Sequence, residues 1–334
     1  MSSAQASRHA APSGAHGASE QAAVSSPRPG RTSAGRRVRA YLQLMKLRIV
    51  ELLLVATVPT MIFAHHYAGG SGLPSVWLIL ATLVGGTLSA GAAGAFNSYI
   101  DRESDRLMKR TSKRPLVTRA VADWEALALA WVLSAVSIVW FLVLVNLLSA
   151  VLTAVAIFLY AVFYSIVLKR RTSQNIVWGG VAGCMPVLIA WAATTGTVQW
   201  PAAVLFMVIF LWTPPHYWPL SMKYAQDYTR AGIPMLGAVS SAGNVASQVV
   251  LYAWATVIGS LLLVPVGQAG WLYASMCLIS GAWFTAQCHR LLHLANTGQP
   301  TSGQAMRVFH GSITYLSLVF LAVALDPFVG GPIL

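Results

Sequence analysis

The chain has 334 residues, 56% of them hydrophobic and only 9% charged, with a mean hydropathy of +0.64. A soluble core cannot absorb that much apolar side chain, which excludes a soluble globular domain and predicts an all-α polytopic membrane protein. The net charge of +13, from 22 basic and nine acidic residues, sits in one set of loops, and this excludes a nucleic-acid surface in favour of the positive-inside bias.

Residues 1–40 are rich in Ser, Ala, Gly, Pro and Arg, with Glu20 the only acid. No apolar stretch follows the early arginines, so a cleaved signal peptide is not expected. The composition predicts a disordered basic tail, drawn to anionic lipid through Arg31, Arg36, Arg37 and Arg39. A mitochondrial transit segment has a similar composition and stays open as the alternative. Residues 41–334 read as one membrane-embedded domain.

Apolar runs then recur near 48–66, 76–97, 124–144, 148–168, 176–194, 200–219, 246–265, 270–288 and 309–325, each long enough to cross a hydrocarbon core of about 30 Å. They predict nine transmembrane helices. With the N-terminus in the cytoplasm, every Lys and Arg falls in an inner segment: the tail through Arg48, the stretch from Arg102 to Arg119, Lys169 to Arg171, Lys223 with Arg230, and Arg290 with Arg307. The outer loops hold none, so the charge bias and the helix count support each other. Cys184, Cys277 and Cys288 all lie in apolar runs and read as small packing residues.

Two small-residue ladders stand out, Gly86, Ala90 and Gly94 in the second run and Gly179 and Gly183 in the fifth. Four-residue spacing gives either a close packing face or room for a flat ligand beside the backbone. The second and sixth runs both end in inner loops carrying acids and bases, a faint repeat of two four-helix units plus one helix. An Arg48–Glu51 pair is expected at the start of the first run.

The densest charge lies at the end of the second run. Residues 97–119 hold three of the nine acids and seven of the 22 bases. If the helix continues, Asn97, Asp101 and Asp105 share one face at a spacing of four. Two readings are open: a divalent-cation site built from carboxylate and amide oxygens, which suits Mg²⁺, or local pairing of the acids with Arg102, Arg106 and Lys109. A cluster of both signs at the rim of an apolar bundle is also what a metal-diphosphate requires, acids for the metal and cations for the remaining oxygens. Further along, Pro214 and Pro215 are expected to break the sixth helix. This raises the interest of His216 beside Tyr217 and Trp218.

Asn97-x3-Asp101-x3-Asp105, with Arg102, Met108, Arg110-Thr111, Arg114 and Pro115-Leu116, resembles the UbiA superfamily of membrane prenyltransferases, and within it the protohaem IX farnesyltransferases or haem O synthases. Three further stretches match that subgroup: Arg48-Ile49-Val50; Tyr164 through Lys169-Arg170-Arg171-Thr172 to Asn175 and Gly183; and Thr213-Pro214-Pro215-His216-Tyr217-Trp218 with Asp227-Tyr228 and Ala231 to Leu236. The resemblance spans about 41–325. Leu47 and Gly237 stand where Pro is common in the family.

The resemblance implies a Mg²⁺-assisted ionisation of farnesyl diphosphate. The allylic cation then adds to a vinyl group of haem B and water supplies a hydroxyl, giving haem O for terminal oxidase assembly. It implies metal ligands at Asn97, Asp101, Asp105 and Asp227, and diphosphate contacts from Arg102, Lys109, Arg110, Arg114, Lys169, Arg170 and Lys223. Haem contacts are expected from His216, Tyr217 and Trp218. Asp227 stands alone where many members of the superfamily have paired acids, and an ion pair with Lys223 is the competing reading. The expected location is a bacterial inner (plasma) membrane with the site on the cytoplasmic side, a mitochondrial inner membrane being the alternative. Haem B, farnesyl diphosphate and the bilayer are the expected partners, with terminal-oxidase assembly factors as candidates and no nucleic acid. Competing functions are prenyl transfer to a quinone precursor or another ring, a transporter, and a non-catalytic haem-handling assembly factor.

Overall fold

A computed structural model describes residues 34–329 with 331 and 333, and only the backbone of 47–54. The expected tail over 1–33 and the side-chain pair Arg48–Glu51 lie outside the described residues. The described residues form helices and no strand. These are α1 (Ala34–Leu44), α2 (Leu47–Tyr67), α3 (Val76–Leu107), α4 (Asp123–Leu144) and α5 (Leu147–Phe158), which continues as a π-helical segment (Leu159–Leu168). After them come α6 (Asn175–Thr195), α7 (Trp200–Lys223), α8 (Ala225–Arg230), α9 (Leu236–Val239), α10 (Ala242–Leu261), α11 (Leu263–Gly267), α12 (Trp271–Asn296) and α13 (Ser302–Val329).

The apolar runs fall on the long helices, that of 246–265 continuing across Leu262 into α11, because a backbone in hydrocarbon must satisfy its own hydrogen bonds. Among the described residues, seven helices are long and apolar enough to cross a membrane. The long helices pack in chain order into a ring, each on the next, with α2 closing it between α3 and α13. Side chains turned out of the ring stay apolar, as at Trp131, Val143 and Ile279, which suits a lipid-facing surface rather than water.

Residues 34–40, expected in the tail, are instead helical: α1 buries Ala40 and Leu44 against Ala95, Leu116, Val121 and Ala126. An Arg37–Glu125 ion pair at 2.6 Å ties its first turn to α4. At the opposite end, buried Asp326 of α13 accepts from the backbone N–H groups of Gly270 and Tyr273 at 2.6 and 2.9 Å, satisfying donors that the first turn of α12 leaves free.

The prolines of α7 do not break it. Pro214, Pro215 and Pro219 all lie inside one helix of 24 residues. Each removes a donor, at about 3 kcal/mol in an isolated helix. Here α7 packs on α6, α10 and α13 at once, and burial on three sides outweighs the lost bonds.

Candidate active site

Because α3 runs on to Leu107, Asn97, Asp101 and Asp105 do share one face, and all three are buried. Three cations meet them. Lys46 Nζ donates to Asn97 Oδ1 and Lys169 Nζ to Asp101 Oδ2, while Arg114 donates to Asp105 Oδ2 at 2.6 Å. Asn97 also donates to Ser165 Oγ at 2.9 Å, and Arg170 donates to Ser104 Oγ at 2.6 Å. Thus Arg102, Arg106 and Lys109 are not the partners of these acids. Arg102 lies 3.0 Å from Asp123 and over the Tyr99 ring, and Arg106 pairs with Glu103.

Lys46 sits in the turn between α1 and α2, its backbone in the left-handed region at φ 54°, which costs a non-glycine residue about 1–3 kcal/mol. Burial first, then the charges of Arg114 and Lys169, push its ammonium down to about 7. Cations held against their mutual repulsion leave a place for an anion carrying several charges.

The remaining oxygens decide what else the face accepts. Asp101 Oδ1 and Asp105 Oδ1 are buried with no hydrogen-bond partner. Uncompensated carboxylate oxygens in a dry site are costly, and a hard cation that takes one or two protein carboxylates and completes its shell from a substrate fits them. Among the described residues no three His, Cys, Asp or Glu side chains gather closely enough to hold a metal by themselves.

Beneath the acids lie two adjoining cavities. The smaller, about 860 Å³ of open space, runs from Lys46 along Gly86, Ala90 and Gly94 of α3 toward Gly183 of α6. The larger, about 1660 Å³, lies between the π-helical segment, α6, α7 and α13 and is lined by Tyr164, Trp212, His216, Tyr217 and Phe309. Tyr160, Gly183 and Pro186 line both. The small-residue ladders therefore divide. A Cβ at Gly94 would meet the Met45 carbonyl at 2.8 Å and one at Gly179 would clash with the Tyr164 ring, whereas Gly86 and Gly183 face open space.

The model of the UbiA prenyltransferase family matches residues 57–324. The chain belongs to that family. The protoheme IX farnesyltransferase of Paenarthrobacter aurescens (strain TC1) is 59% identical over 310 residues, covering 92% of this chain and 95% of its own. That of Leifsonia xyli subsp. xyli (strain CTCB07) is 58% identical over 298 residues, covering 89% and 95%. Among solved structures, a digeranylgeranylglyceryl phosphate synthase superposes with a TM-score of 0.68 at 17% identity, over 87% of this chain and 98% of its own. A UbiA homologue from Archaeoglobus fulgidus bound to DMAPP and Mg²⁺ gives 0.59 at 15% identity, over 85% and 99%. At such identities these two share the fold.

This UbiA-family chain brings its second charged loop to the same end. Arg110 lies 5.9 Å over the Tyr224 ring, and its charge opposes the rise that burial imposes on the nearby Tyr228 phenol. Asp227 pairs with Arg230 at 3.1 Å rather than with Lys223, which is exposed 5.6 Å from the Tyr224 ring. Lys109 is exposed on the turn after α3. His216 is clamped between the rings of Trp212 and Phe309 at 4.3 and 4.6 Å, with Nδ1 2.8 Å from Ser312 Oγ. Tyr217 lines the larger cavity beside it, but Trp218 turns away and packs edge-on against Tyr252 of α10. His289 accepts from Trp254 Nε1 at 3.0 Å on the exposed face of α10 and α12.

Sequence reasoning missed Lys46, Ser104, Ser165, Tyr160 and the π-helical segment. Lys46 carried a signal, a cation just before the first apolar run, but it was absorbed into the positive-inside bias. The π-helical segment carried none.

Proposed function

We propose that this chain transfers the farnesyl group of farnesyl diphosphate to a vinyl group of haem B, giving haem O for terminal oxidase assembly. The observation that carries it is the buried face of Asn97, Asp101 and Asp105, ringed by Lys46, Lys169 and Arg114 above two apolar cavities. The 59% identity to a protein named protoheme IX farnesyltransferase supports haem as acceptor.

In this reading the diphosphate lies against Lys46, Lys169, Arg114 and Arg170, with Arg110 and Lys223 approaching from the second loop. Mg²⁺ would be held by the free oxygens of Asp101 and Asp105, with Asn97 beside them, and would supply charge neutralisation on the departing diphosphate. Asp227 closes the site from the second loop. Cations fixed in place before reaction stabilise the charge that develops as the C1–O bond breaks. The smaller cavity takes the farnesyl chain, since Lys46 stands at its rim and its walls are small and apolar. The larger, aromatic cavity takes haem. With Nδ1 of His216 engaged by Ser312, Nε2 is left for the iron. The dry walls keep stray water from the cation.

The helices cross a bacterial inner membrane nine times, with the N-terminus and the site on the cytoplasmic side. The test is to incubate purified protein with haem B, farnesyl diphosphate and Mg²⁺ and to follow haem O by mass. Asp101→Asn is expected to lower turnover by about 10²–10³-fold, and EDTA to abolish it. Product that survives both would overturn this mechanism.

A further inference from the structure

Forming haem O demands one water at one carbon inside a site built to be dry, and no residue named above accounts for that water. Resting on the farnesyl-transfer reading, we propose that Tyr160 holds the water that captures the carbocation.

The two cavities meet at Tyr160, Gly183 and Pro186. If one cavity holds the farnesyl chain and the other haem, farnesyl C1 meets the vinyl group at this junction. Gly183 and Pro186 offer no side-chain polar atom, so among the described residues Tyr160 brings the only side-chain hydroxyl common to both walls. Of the other hydroxyls, those of Thr57, Thr82 and Ser89 line only the smaller cavity and those of Tyr164, Thr213, Tyr217 and Ser317 only the larger. Among the described residues the Tyr160 hydroxyl has no hydrogen-bond partner, although Asp101, Arg114 and Tyr217 lie within electrostatic reach.

Its direction follows from the local helix. Tyr160, Ser165 and Lys169 follow one another along the π-helical segment and its C-cap at spacings of five and four, and in a helix with i→i+5 hydrogen bonds they share a face. Ser165 meets Asn97 and Lys169 meets Asp101, so Tyr160 stands about one turn deeper, directly below the acids. A buried water needs two or more polar partners. The phenol supplies one and the diphosphate oxygens above it another.

The step balances. The C1–O bond breaks and diphosphate takes its electron pair. The vinyl π pair forms the new bond to C1, leaving positive charge on the vinyl carbon attached to the porphyrin. A lone pair of the held water bonds that carbon, and one water proton passes to a diphosphate oxygen. Without the water, the same cation loses a proton from the adjacent methylene to diphosphate and gives an alkene lighter than haem O by one water.

The experiment uses the full-length protein in membranes with haem B, farnesyl diphosphate and Mg²⁺, and reads both products by mass. Tyr160→Phe keeps the ring and removes the hydroxyl. The expected result is that haem O falls about tenfold as a share of products, the loss of one hydrogen bond to the water, while the alkene rises and farnesyl diphosphate is still consumed. An unchanged product ratio overturns the role. So does equal loss of both products with loss of diphosphate release, which would make Tyr160 a binding residue. A wild-type protein that forms neither product would instead sink the farnesyl-transfer reading itself.

Discussion

Lys46 and Arg102 carry the same charge at the same end of the bundle, yet their surroundings give them different weight. Lys46 is largely removed from water, in a left-handed turn, against a buried amide, whereas Arg102 is partly exposed and tied to Asp123 and Tyr99. A hydrogen bond from a buried cation to an anionic ligand contributes about 1.5–3 kcal/mol, and an exposed ion pair little. Lys46→Met is therefore expected to raise KM for farnesyl diphosphate about tenfold or more, and Arg102→Ala to change it less than about twofold. Equal effects from the two would refute this division. The acids of this site were legible because a spacing of four fixes the face a side chain shares. Lys46 was not, since its role comes from a backbone turn, from burial and from the charges of Arg114 and Lys169, far away in sequence. Trp218 shows the opposite: nearness to His216 in sequence suggested a shared role, but two residues along a helix turn a side chain by about 200°, here into α10.

At the scale of elements, the apolar runs were legible because length and composition alone decide whether a helix can cross hydrocarbon. Their internal hydrogen-bond pattern was not. The stretch Leu159–Leu168 has the composition of an ordinary apolar helix, and nothing in its residues marks the change from i→i+4 to i→i+5 bonding. Its cause is tertiary: Asn97 holds Ser165 and Asp101 holds Lys169, and the extra residue lets both contacts form. The same principle explains α7, where prolines that would end a free helix are carried by packing on three sides. Deleting Ile166, a residue exposed on the outside of the ring, removes one residue between Ser165 and Lys169 and breaks the register that lets them meet Asn97 and Asp101 together. Turnover is expected to fall by about 10²-fold or more, with helix content by circular dichroism unchanged. Retained turnover would show that the π-helical register is not what positions Lys169.

At the scale of the whole molecule, contacts separate the two ends of the ring. The turns after α3, before α6 and after α7 meet through Lys169, Arg170 and Arg110. At the other end, His66 of α2 packs on Phe328 of α13, and Asp326 holds the start of α12. All of the chain's Lys and Arg belong to segments assigned to the first end from sequence, and a loop rich in cations is not translocated readily. The site therefore faces the cytoplasm if the N-terminus does. Single cysteines test the arrangement with little background, since Cys184, Cys277 and Cys288 are buried. Lys113→Cys lies on an exposed turn at the charged end and Thr197→Cys on an exposed turn between α6 and α7. A membrane-impermeant maleimide is expected to label Lys113→Cys only in inside-out vesicles and Thr197→Cys only in right-side-out ones. Labelling of both from one side would break the alternation on which nine crossings depend. Exchange of the two patterns would keep the crossings but turn the molecule over and place the acids on the outer side.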